Sequence, residues 1–571
     1  MVDGSLYVTT PRNRVLSMDP VTGATRWEFD PQADLSRRYV EDFVSRGVSF
    51  WRKRGGEDEP CATRLFLGTI DARVFALDAT TGEPCRAFGD SGVIHLTAGS
   101  DPDQREDETA DYSITSPPAV LGDVIIVGSA VRKNRRAPAP AGVVRAFDAR
   151  TGEPRWIFEP MPNAPAHQGQ RFSPPATARA TGGANAWSFI TVDTARDLVF
   201  LPTASPAPDH YGGDRPGRND LANSVVAVRG STGEVAWSFQ VVHHDLWDYD
   251  VAAHPMLVDL EHQGEAIPAV VVGTKTGMLF VLNRVTGVPV WPVESRPVPA
   301  STVPGEKASP SQPFSGLPLL HSALLTEDSL FGVTARELER CRRRLGILRN
   351  DGIFTPPSLE GTLVWPGYWG GINWDGMAWD PERQLVITTV RRLAMVVQLH
   401  RRGDPTELLE ERRPSQQLFP QVGTPYSVTR EPFVAPSGTP CSPPPWGLLV
   451  AVDFTNSSMR WQRPLGTVPW LSQYPGHAEW GSLLLGGPLV TGGGLVFIAG
   501  AQDDRFRAFD VETGALLWET QLPAGGQAAP MTYTFARRQY IVIHAGGRDG
   551  IGSPGDWIVA YALPAHRTRS R

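Results

Sequence analysis

The stretch Ala146-Phe147-Asp148-Ala149-Arg150-Thr151-Gly152-Glu153-Pro154-Arg155-Trp156 decides the fold, because copies of it recur along the chain. The clearer copies keep a Thr-Gly step and a Trp at a fixed distance beyond it; they end at Trp27, Trp237, Trp291 and Trp518. Two worn copies begin at Ala76 and Ala451. One repeat cannot bury its own apolar face, so self-similarity of this kind indicates stacked units around a shared core.

Each copy has the pattern of a β-hairpin. The residues before the turn, such as 142–147, are mostly apolar, as in a strand. The Asp-x-x-Thr-Gly step is typical of a turn, because the Asp side chain caps the turn and Gly accepts a positive φ. A second strand, such as 153–158, carries the Trp, whose ring buries a large apolar area while its N–H still finds a partner. The indole is therefore suited to dock one sheet on the next.

The number of copies predicts an all-β, eight-bladed β-propeller with tryptophan-docking motifs. Asp19, Asp78 and Asp148 lie 59 and 70 residues apart, so the blades carry longer loops than the ~40–50 residues usual for propeller repeats. Seven copies are visible. The segment 370–386, which includes Asn373, is interpreted as an eighth copy in which the motif has degenerated. We expect one domain over residues 1–571, with a disordered tail at 566–571.

Two Pro-rich segments are predicted to be loops that project from the ring. The first, 292–360, is predicted to be an inserted loop with one short helix at 335–345, because Thr334 and Glu337 have capping-box spacing. Within it, 292–318 is expected to be a surface loop. The second excursion, 430–446, is also predicted to be a loop. Such loops shape the mouth of a rigid ring.

Composition excludes several function classes. The 571-residue chain carries a net charge of −7, which does not favour nucleic acid or an anionic membrane surface as a partner. No apolar run reaches the ~18 residues that span a bilayer, and no secretory signal opens the sequence. Because Met1 begins inside a repeat, we expect an upstream truncation of a periplasmic protein, either free or attached to the membrane through the absent segment. An authentic start would instead indicate a cytoplasmic protein.

The four cysteines contain no Cys-x-x-Cys pair, so a structural zinc site is not indicated. Cys61 and Cys85 bracket one strand-and-turn unit. They are either a disulfide, which needs an oxidising compartment, or two buried thiols.

The strongest chemical signal outside the repeats is His243-His244-Asp245-Leu246-Trp247-Asp248-Tyr249-Asp250. Carboxylates two residues apart on an extended segment face one side, where they suit a hard cation or a general base. The alternative is that these Asp and His side chains only cap the turns of a wide loop.

With this segment in place, the chain resembles the quinoprotein dehydrogenases, which use pyrroloquinoline quinone (PQQ), and it is most similar to their membrane-bound glucose- and quinate-type members. Besides 243–248, the resemblance rests on 275–282 (Lys-Thr-Gly-Met-Leu-Phe-Val-Leu), 312–315 (Gln-Pro-Phe-Ser), 355–364 and 522–533. It implies oxidation of a sugar, polyol or cyclic alcohol by hydride transfer to PQQ, with a quinone as electron acceptor.

The resemblance also implies residue roles. Asp248 matches the general base, and Lys275 matches the cation that contacts the quinone oxygens. The implied cofactor contacts are Arg46, Thr115, Ser116, Trp187, Lys275 and Asn373. Asp248 and Asp250 are the implied ligands of a calcium ion. PQQ is a flat tricarboxylate, so a stacking surface and fixed cations are the groups it requires.

The sequence departs from the family pattern at three places. It has no adjacent cysteines, and no His shortly before Arg46 takes their place. Arg132 and Lys133 stand where oxygen ligands for calcium are implied, and Ser205 stands where alcohol-type members have an Asn ligand. Two other readings therefore remain: a family member whose metal site has degenerated, and a cofactor-free propeller that serves as a binding scaffold.

Overall fold

The repeated phrase folds into the hairpin that the sequence predicts. In the computed structural model, which describes residues 1–55, 59–96, 110–137, 139–161, 181–403, 415–548 and 550–564, strand Val144–Asp148 pairs with Pro154–Phe158. The Asp148 carboxylate accepts the backbone N–H groups of Arg150 and Thr151 at 2.8 and 3.0 Å. Gly152 has a φ of 75°, a conformation that favours glycine.

Eight sheets of three or four antiparallel strands follow one another along the described part of the chain. Sheets 1 to 4 are Leu6–Thr9, Val15–Met18, Thr25–Phe29; Ser49–Arg52, Thr63–Gly68, Arg73–Asp78, Val93–His95; Ala119–Leu121, Val124–Val127, Val144–Asp148, Pro154–Phe158; and Thr191–Asp193, Leu198–Pro202, Ser224–Arg229, Val235–Gln240. Sheets 5 to 8 are Met256–His262, Glu265–Gly273, Leu279–Asn283; Met377–Asp380, Leu385–Arg391, Gly447–Asp453, Ser458–Pro464; Leu489–Val490, Leu495–Ile498, Arg505–Asp510, Leu516–Gln521; and Met531–Phe535, Arg538–Ala545, Trp557–Tyr561.

Two two-stranded sheets, one four-stranded sheet and a few helices of the described chain lie outside this series. The sheets pair Tyr112–Ser113 with Ala130–Val131, pair Val293–Pro297 with Ser311–Ser315, and join Thr362–Val364, Met395–Arg401, Tyr426–Pro432 and Gln417–Phe419. The α-helix is Ala335–Leu345, and the short 3-10 helices are Thr194–Arg196, Glu327–Ser329, Pro469–Leu471 and His477–Glu479. None of the helices in the described ranges is long and apolar enough to cross a bilayer.

The segment expected to be a worn blade of its own is part of another sheet. In sheet 6, Met377–Asp380 pairs with Leu385–Arg391, and Leu385–Arg391 pairs with Gly447–Asp453, the strand that carries the copy at Ala451. The residues between Arg391 and Gly447 separate the strands in sequence, and this made one sheet look like two. Sheet 8 was missed because its first turn, at Ala536 and Arg537, has positive φ without the Thr-Gly step.

The Pro-rich segments are more ordered than the sequence suggested. The expected loop 292–318 contains two paired strands, and the expected loop 430–446 begins inside the strand Tyr426–Pro432. The predicted helix is confirmed at 335–345, with the Thr334 hydroxyl accepting the Glu337 N–H at 3.2 Å. The tail 566–571 lies outside the described residues.

All four cysteines are paired in disulfides. Cys61 is bonded to Cys85, which settles the alternative that the sequence left open. A second disulfide, which the sequence did not predict, joins Cys341 of the helix to Cys441.

The repeated Trp side chains contact the turn of the following copy. The indole N–H of Trp156 donates to the Gly230 carbonyl at 2.8 Å, and the ring lies against Gly233, where a Cβ would come within 2.7 Å of it. Trp461 is arranged in the same way, donating to the Val511 carbonyl at 2.9 Å. Glycine is required at such a turn by both its positive φ and the close approach of the ring.

The first and last sheets of the series are in contact. The Tyr533 hydroxyl of sheet 8 donates to the Pro20 carbonyl at 2.7 Å, beside the turn of sheet 1. Leu6, Tyr533, Tyr540 and Val542 form one buried apolar cluster across the two sheets. The last sheet of the series therefore packs against the first.

Candidate active site

Four segments that are far apart in sequence bring charged side chains and an indole together. Asp248 and Asp250 follow strand Val235–Gln240, and Lys275 follows strand Glu265–Gly273. Lys133 comes two residues after Ala130–Val131, and Trp187 precedes Thr191–Asp193. Asp248 has a φ of 60°, which is uncommon for a residue other than glycine and is frequent at functional sites.

Both carboxylate oxygens of Asp250 are occupied by donors. Oδ1 accepts the Lys133 ammonium and the Ser205 backbone N–H, each at 2.7 Å. Oδ2 accepts the Trp187 indole N–H and the Lys275 ammonium, each at 3.2 Å. Burial opposes ionisation of this carboxyl, but the two lysines outweigh it and hold the pKa of Asp250 below its usual range.

Asp248 is contacted by three cationic side chains. Lys133 Nζ lies 2.7 Å from Oδ1, while Lys275 Nζ and an Arg430 nitrogen lie 3.6 and 3.7 Å from Oδ2. Lys275 also donates to the Asp248 carbonyl at 2.7 Å. Burial disfavours the charge of Lys133, yet its carboxylate partners raise its pKa above the usual value. The structure therefore brings together the two predicted catalytic residues, Asp248 and Lys275.

The absence of a side chain at Gly370 permits the approach of Lys275 to this cluster. This glycine has a φ of 60°, and a Cβ at this position would lie 2.4 Å from the Cβ of Lys275. Any other residue here would displace the lysine. The backbone N–H of Gly371 also donates to the Lys275 carbonyl at 2.7 Å, which fixes the segment.

Arg46 lies between two indoles at the edge of the cluster. Its guanidinium carbon is 5.2 Å from the Trp187 ring centroid and 5.7 Å from that of Trp374. Burial, partly offset by Glu41, lowers the pKa of Arg46 to about 10, so the side chain stays charged at neutral pH. Its Nε atom is buried without a hydrogen-bond partner among the described residues.

The remaining predicted cofactor contacts support the indoles. Ser116 Oγ donates to the Trp187 carbonyl at 2.7 Å, and the Thr115 carbonyl accepts from Arg46 at 3.2 Å. Asn373 donates to the Trp369 carbonyl at 2.7 Å and accepts the Trp374 N–H at 2.8 Å. Its amide is thus used to position the neighbouring indole.

The sequence did not single out Arg430 and its surroundings. The guanidinium lies 4.3 Å from the Tyr368 ring centroid and 4.2 Å from that of Phe419, and it is 3.9 Å from Asp209. Its Nε is also buried without a partner among the described residues. No sequence signal marked it, because Arg430 comes from a sheet inserted between two strands of sheet 6.

The residues present do not fit the calcium ion that the resemblance implies. Calcium takes six to eight oxygen ligands, whereas the oxygens of Asp250 face N–H and ammonium groups. The Ser205 hydroxyl donates to Asp245 instead of facing the cluster. In the parts of the chain that the structure describes, no group of three or more His, Cys, Asp or Glu side chains could hold a metal ion.

The residues do fit PQQ. The two indoles present aromatic faces to a flat ring system, and Arg46, Lys275 and Arg430 supply cations for its three carboxylates. A buried guanidinium N–H without a partner is costly in an empty site. The unpartnered Nε atoms of Arg46 and Arg430 are therefore expected to face an anionic ligand.

Comparisons with known proteins agree with this chemistry. Residues 1–541 match the family model described as PQQ, glucose/ethanol/alcohol dehydrogenase, beta-propeller domain. The chain is 36% identical to the quinoprotein glucose dehydrogenase of Escherichia coli (strain K12), over 99% of this chain and 72% of that protein. It is 33% identical to the quinate/shikimate dehydrogenase (quinone) of Acinetobacter baylyi, over 98% and 72%.

The solved structures support the same fold. The quinohemoprotein alcohol dehydrogenase of Comamonas testosteroni superposes with a TM-score of 0.68 at 22% identity, over 98% of this chain and 73% of that one. The family model spans nearly the whole chain, and the relatives exceed 30% identity over most of their own lengths. The chain belongs to the family of PQQ-dependent quinoprotein dehydrogenases.

Proposed function

We propose that this protein is a PQQ-dependent dehydrogenase that oxidises a sugar, polyol or cyclic alcohol and passes the electrons to a quinone. The observation that carries the proposal is the convergence of Asp248, Lys275, Trp187 and Arg46 in one cluster. The relatives include a glucose dehydrogenase, a quinate/shikimate dehydrogenase (quinone) and a glycerol dehydrogenase large subunit. A binding scaffold has no need of this set of residues.

The eight sheets of the series are proposed to be the blades of an eight-bladed propeller joined by tryptophan docking. Two observations support this: the repeated indoles contact the turn of the next copy, and sheets 1 and 8 share an apolar cluster. A closed ring gives every sheet a neighbour on both faces, so that no sheet leaves an apolar face uncovered.

PQQ, when bound, supplies the redox chemistry by accepting a hydride equivalent from the substrate carbon. Asp248 is proposed to accept the hydroxyl proton, and Lys133 and Lys275 hold its carboxylate in place. Lys275 is also proposed to contact the quinone oxygens. Trp187 and Trp374 would hold the ring system, and Arg46 and Arg430 would pair with its carboxylates. Thr115, Ser116 and Asn373 position those indoles.

A periplasmic location is proposed from the cysteines. All four are paired in disulfides, and such bonds persist in oxidising compartments such as the bacterial periplasm. Periplasmic folding would form both bonds, so free-thiol titration of the protein recovered from its native host should find none. Reduced cysteines in that sample would argue for the cytoplasm.

The experiment is dye-linked turnover of the full chain after reconstitution with PQQ. Glucose, quinate, glycerol, sorbitol and ethanol are supplied in turn. We expect dye reduction with at least one sugar, polyol or cyclic alcohol, and none when PQQ is omitted. Retained PQQ with no turnover on any of these alcohols would overturn the proposed activity.

A further inference from the structure

We propose that the ammonium group of Lys133 is the permanent cation of this site, and that the chain binds PQQ without a divalent metal ion. The inference rests on the proposed function for its ligand, PQQ. The geometry of the Lys133 contacts is independent of the proposed function, because it follows from the side chains alone.

Lys133 bridges the two carboxylates that the resemblance assigns to a metal. Its Nζ is 2.7 Å from Asp248 Oδ1 and 2.7 Å from Asp250 Oδ1, and 11% of its side chain is exposed. A divalent ion between the same oxygens would have to displace the ammonium from both. The displaced charge would then remain, largely buried, without its partners, and this is strongly unfavourable.

The charges of the cluster already balance. The carboxylates of Asp209, Asp248 and Asp250 are matched by the cations of Lys133, Lys275 and Arg430, with each contact between 2.7 and 3.9 Å. A calcium ion would add two positive charges to this set. Among the protein's own side chains the carboxylates are not in excess, so a divalent ion finds no carboxylate of the cluster without a cation beside it.

The local structure places Lys133, and not Arg132, between the two carboxylates. Arg132 points elsewhere: its guanidinium donates to the Tyr39 carbonyl and lies 3.8 Å from Asp111. The Ser205 N–H reinforces the arrangement, because it donates to the same Asp250 oxygen that Lys133 contacts. Both acceptor directions of this oxygen are therefore in use, one by the N–H and one by the ammonium group.

The first test measures metal and PQQ binding by the wild-type full chain. Terbium luminescence and calcium titration calorimetry should detect no site in the cluster, and PQQ should quench tryptophan fluorescence with the same Kd, within about twofold, in EDTA and in calcium. A stoichiometric calcium site, or PQQ uptake that requires calcium, would overturn the inference. If PQQ does not bind under any condition, the proposed function fails, while the metal titrations still decide the role of Lys133.

The second test replaces the cation. Lys133→Gln leaves Asp248 and Asp250 facing the carboxylates of PQQ with one cation fewer, so PQQ should bind at least about tenfold more weakly in EDTA. Calcium should restore binding and raise the melting temperature of this variant only. Lys133→Arg keeps the charge and should retain uptake in EDTA. Lys307→Gln, at an exposed lysine, is the matched control. A Lys133→Gln protein that binds PQQ in EDTA as wild type does would contradict the proposal.

Discussion

Replacing Asp248 with Asn should separate catalysis from cofactor binding. Asn keeps the shape of the side chain but cannot accept the substrate proton, and a positioned general base contributes about 10²–10⁴-fold to a rate. The change also removes one negative charge from a cluster of three carboxylates and three cations. The variant cluster gains net positive charge, so the PQQ tricarboxylate should bind at least as tightly as to wild type.

The assay measures kcat by dye reduction at saturating substrate, and PQQ binding by tryptophan quenching in the same samples. Asp220→Asn, at an exposed carboxylate, controls for the loss of a surface charge. We expect kcat to fall by about two to four orders of magnitude for Asp248→Asn, with an unchanged or lower Kd for PQQ. A variant that keeps more than about a third of the wild-type kcat, well short of that loss, would refute the assignment of Asp248 as the base.

Three further predictions concern stability. Trp156→Ala should lower the free energy of unfolding by about 3–5 kcal/mol, whereas Trp156→Phe should lose less, because it keeps most of the buried ring; equal losses would contradict docking by the indole. Replacing both Cys341 and Cys441 with Ser should cost about 2–5 kcal/mol, since the disulfide closes a 100-residue loop, and denaturant unfolding that matches wild type would contradict this. Burial lowers the pKa of His254, so the unfolded chain binds a proton more readily and wild-type stability should fall as the pH drops below about 6.5. The difference in free energy of unfolding between wild type and His254→Gln should therefore shrink from pH 8 to pH 5. His95→Gln, at an exposed histidine, is the control. A difference for His254→Gln that stays constant over this pH range would contradict the prediction.

Much of the fold could be predicted because the determining information is local. The Asp-x-x-Thr-Gly turn and the Trp lie within one hairpin, so the pattern at 146–156 specifies its own structure. The sequence predicts less well which strands belong to the same sheet. Sheet 6 is divided by a long insertion, and sheet 8 uses a turn at Ala536 and Arg537 without the phrase.

The site also has a part that the sequence predicts and a part that only the structure shows. Asp248 and Asp250 stand in one short charged segment, and the resemblance supplied the roles of Lys275, Trp187 and Arg46. The partners of those residues are set by contacts across sheets, which a sequence pattern does not contain. Lys133 was visible as a departure from the family, but its bridge between two carboxylates emerges only when the segments are brought together. Arg430 carried no signal.

The central claim is that one PQQ binds in this cluster, beside the Trp187 and Trp374 indoles and the guanidinium groups of Arg46 and Arg430. The most direct measurement is an equilibrium titration of the full chain with PQQ, repeated with Arg46→Met. The account predicts saturation at one PQQ per chain and at least about tenfold weaker binding by the variant, which lacks a largely desolvated cation. Absence of saturable binding by the wild-type chain, or equal affinity in the variant, would contradict it.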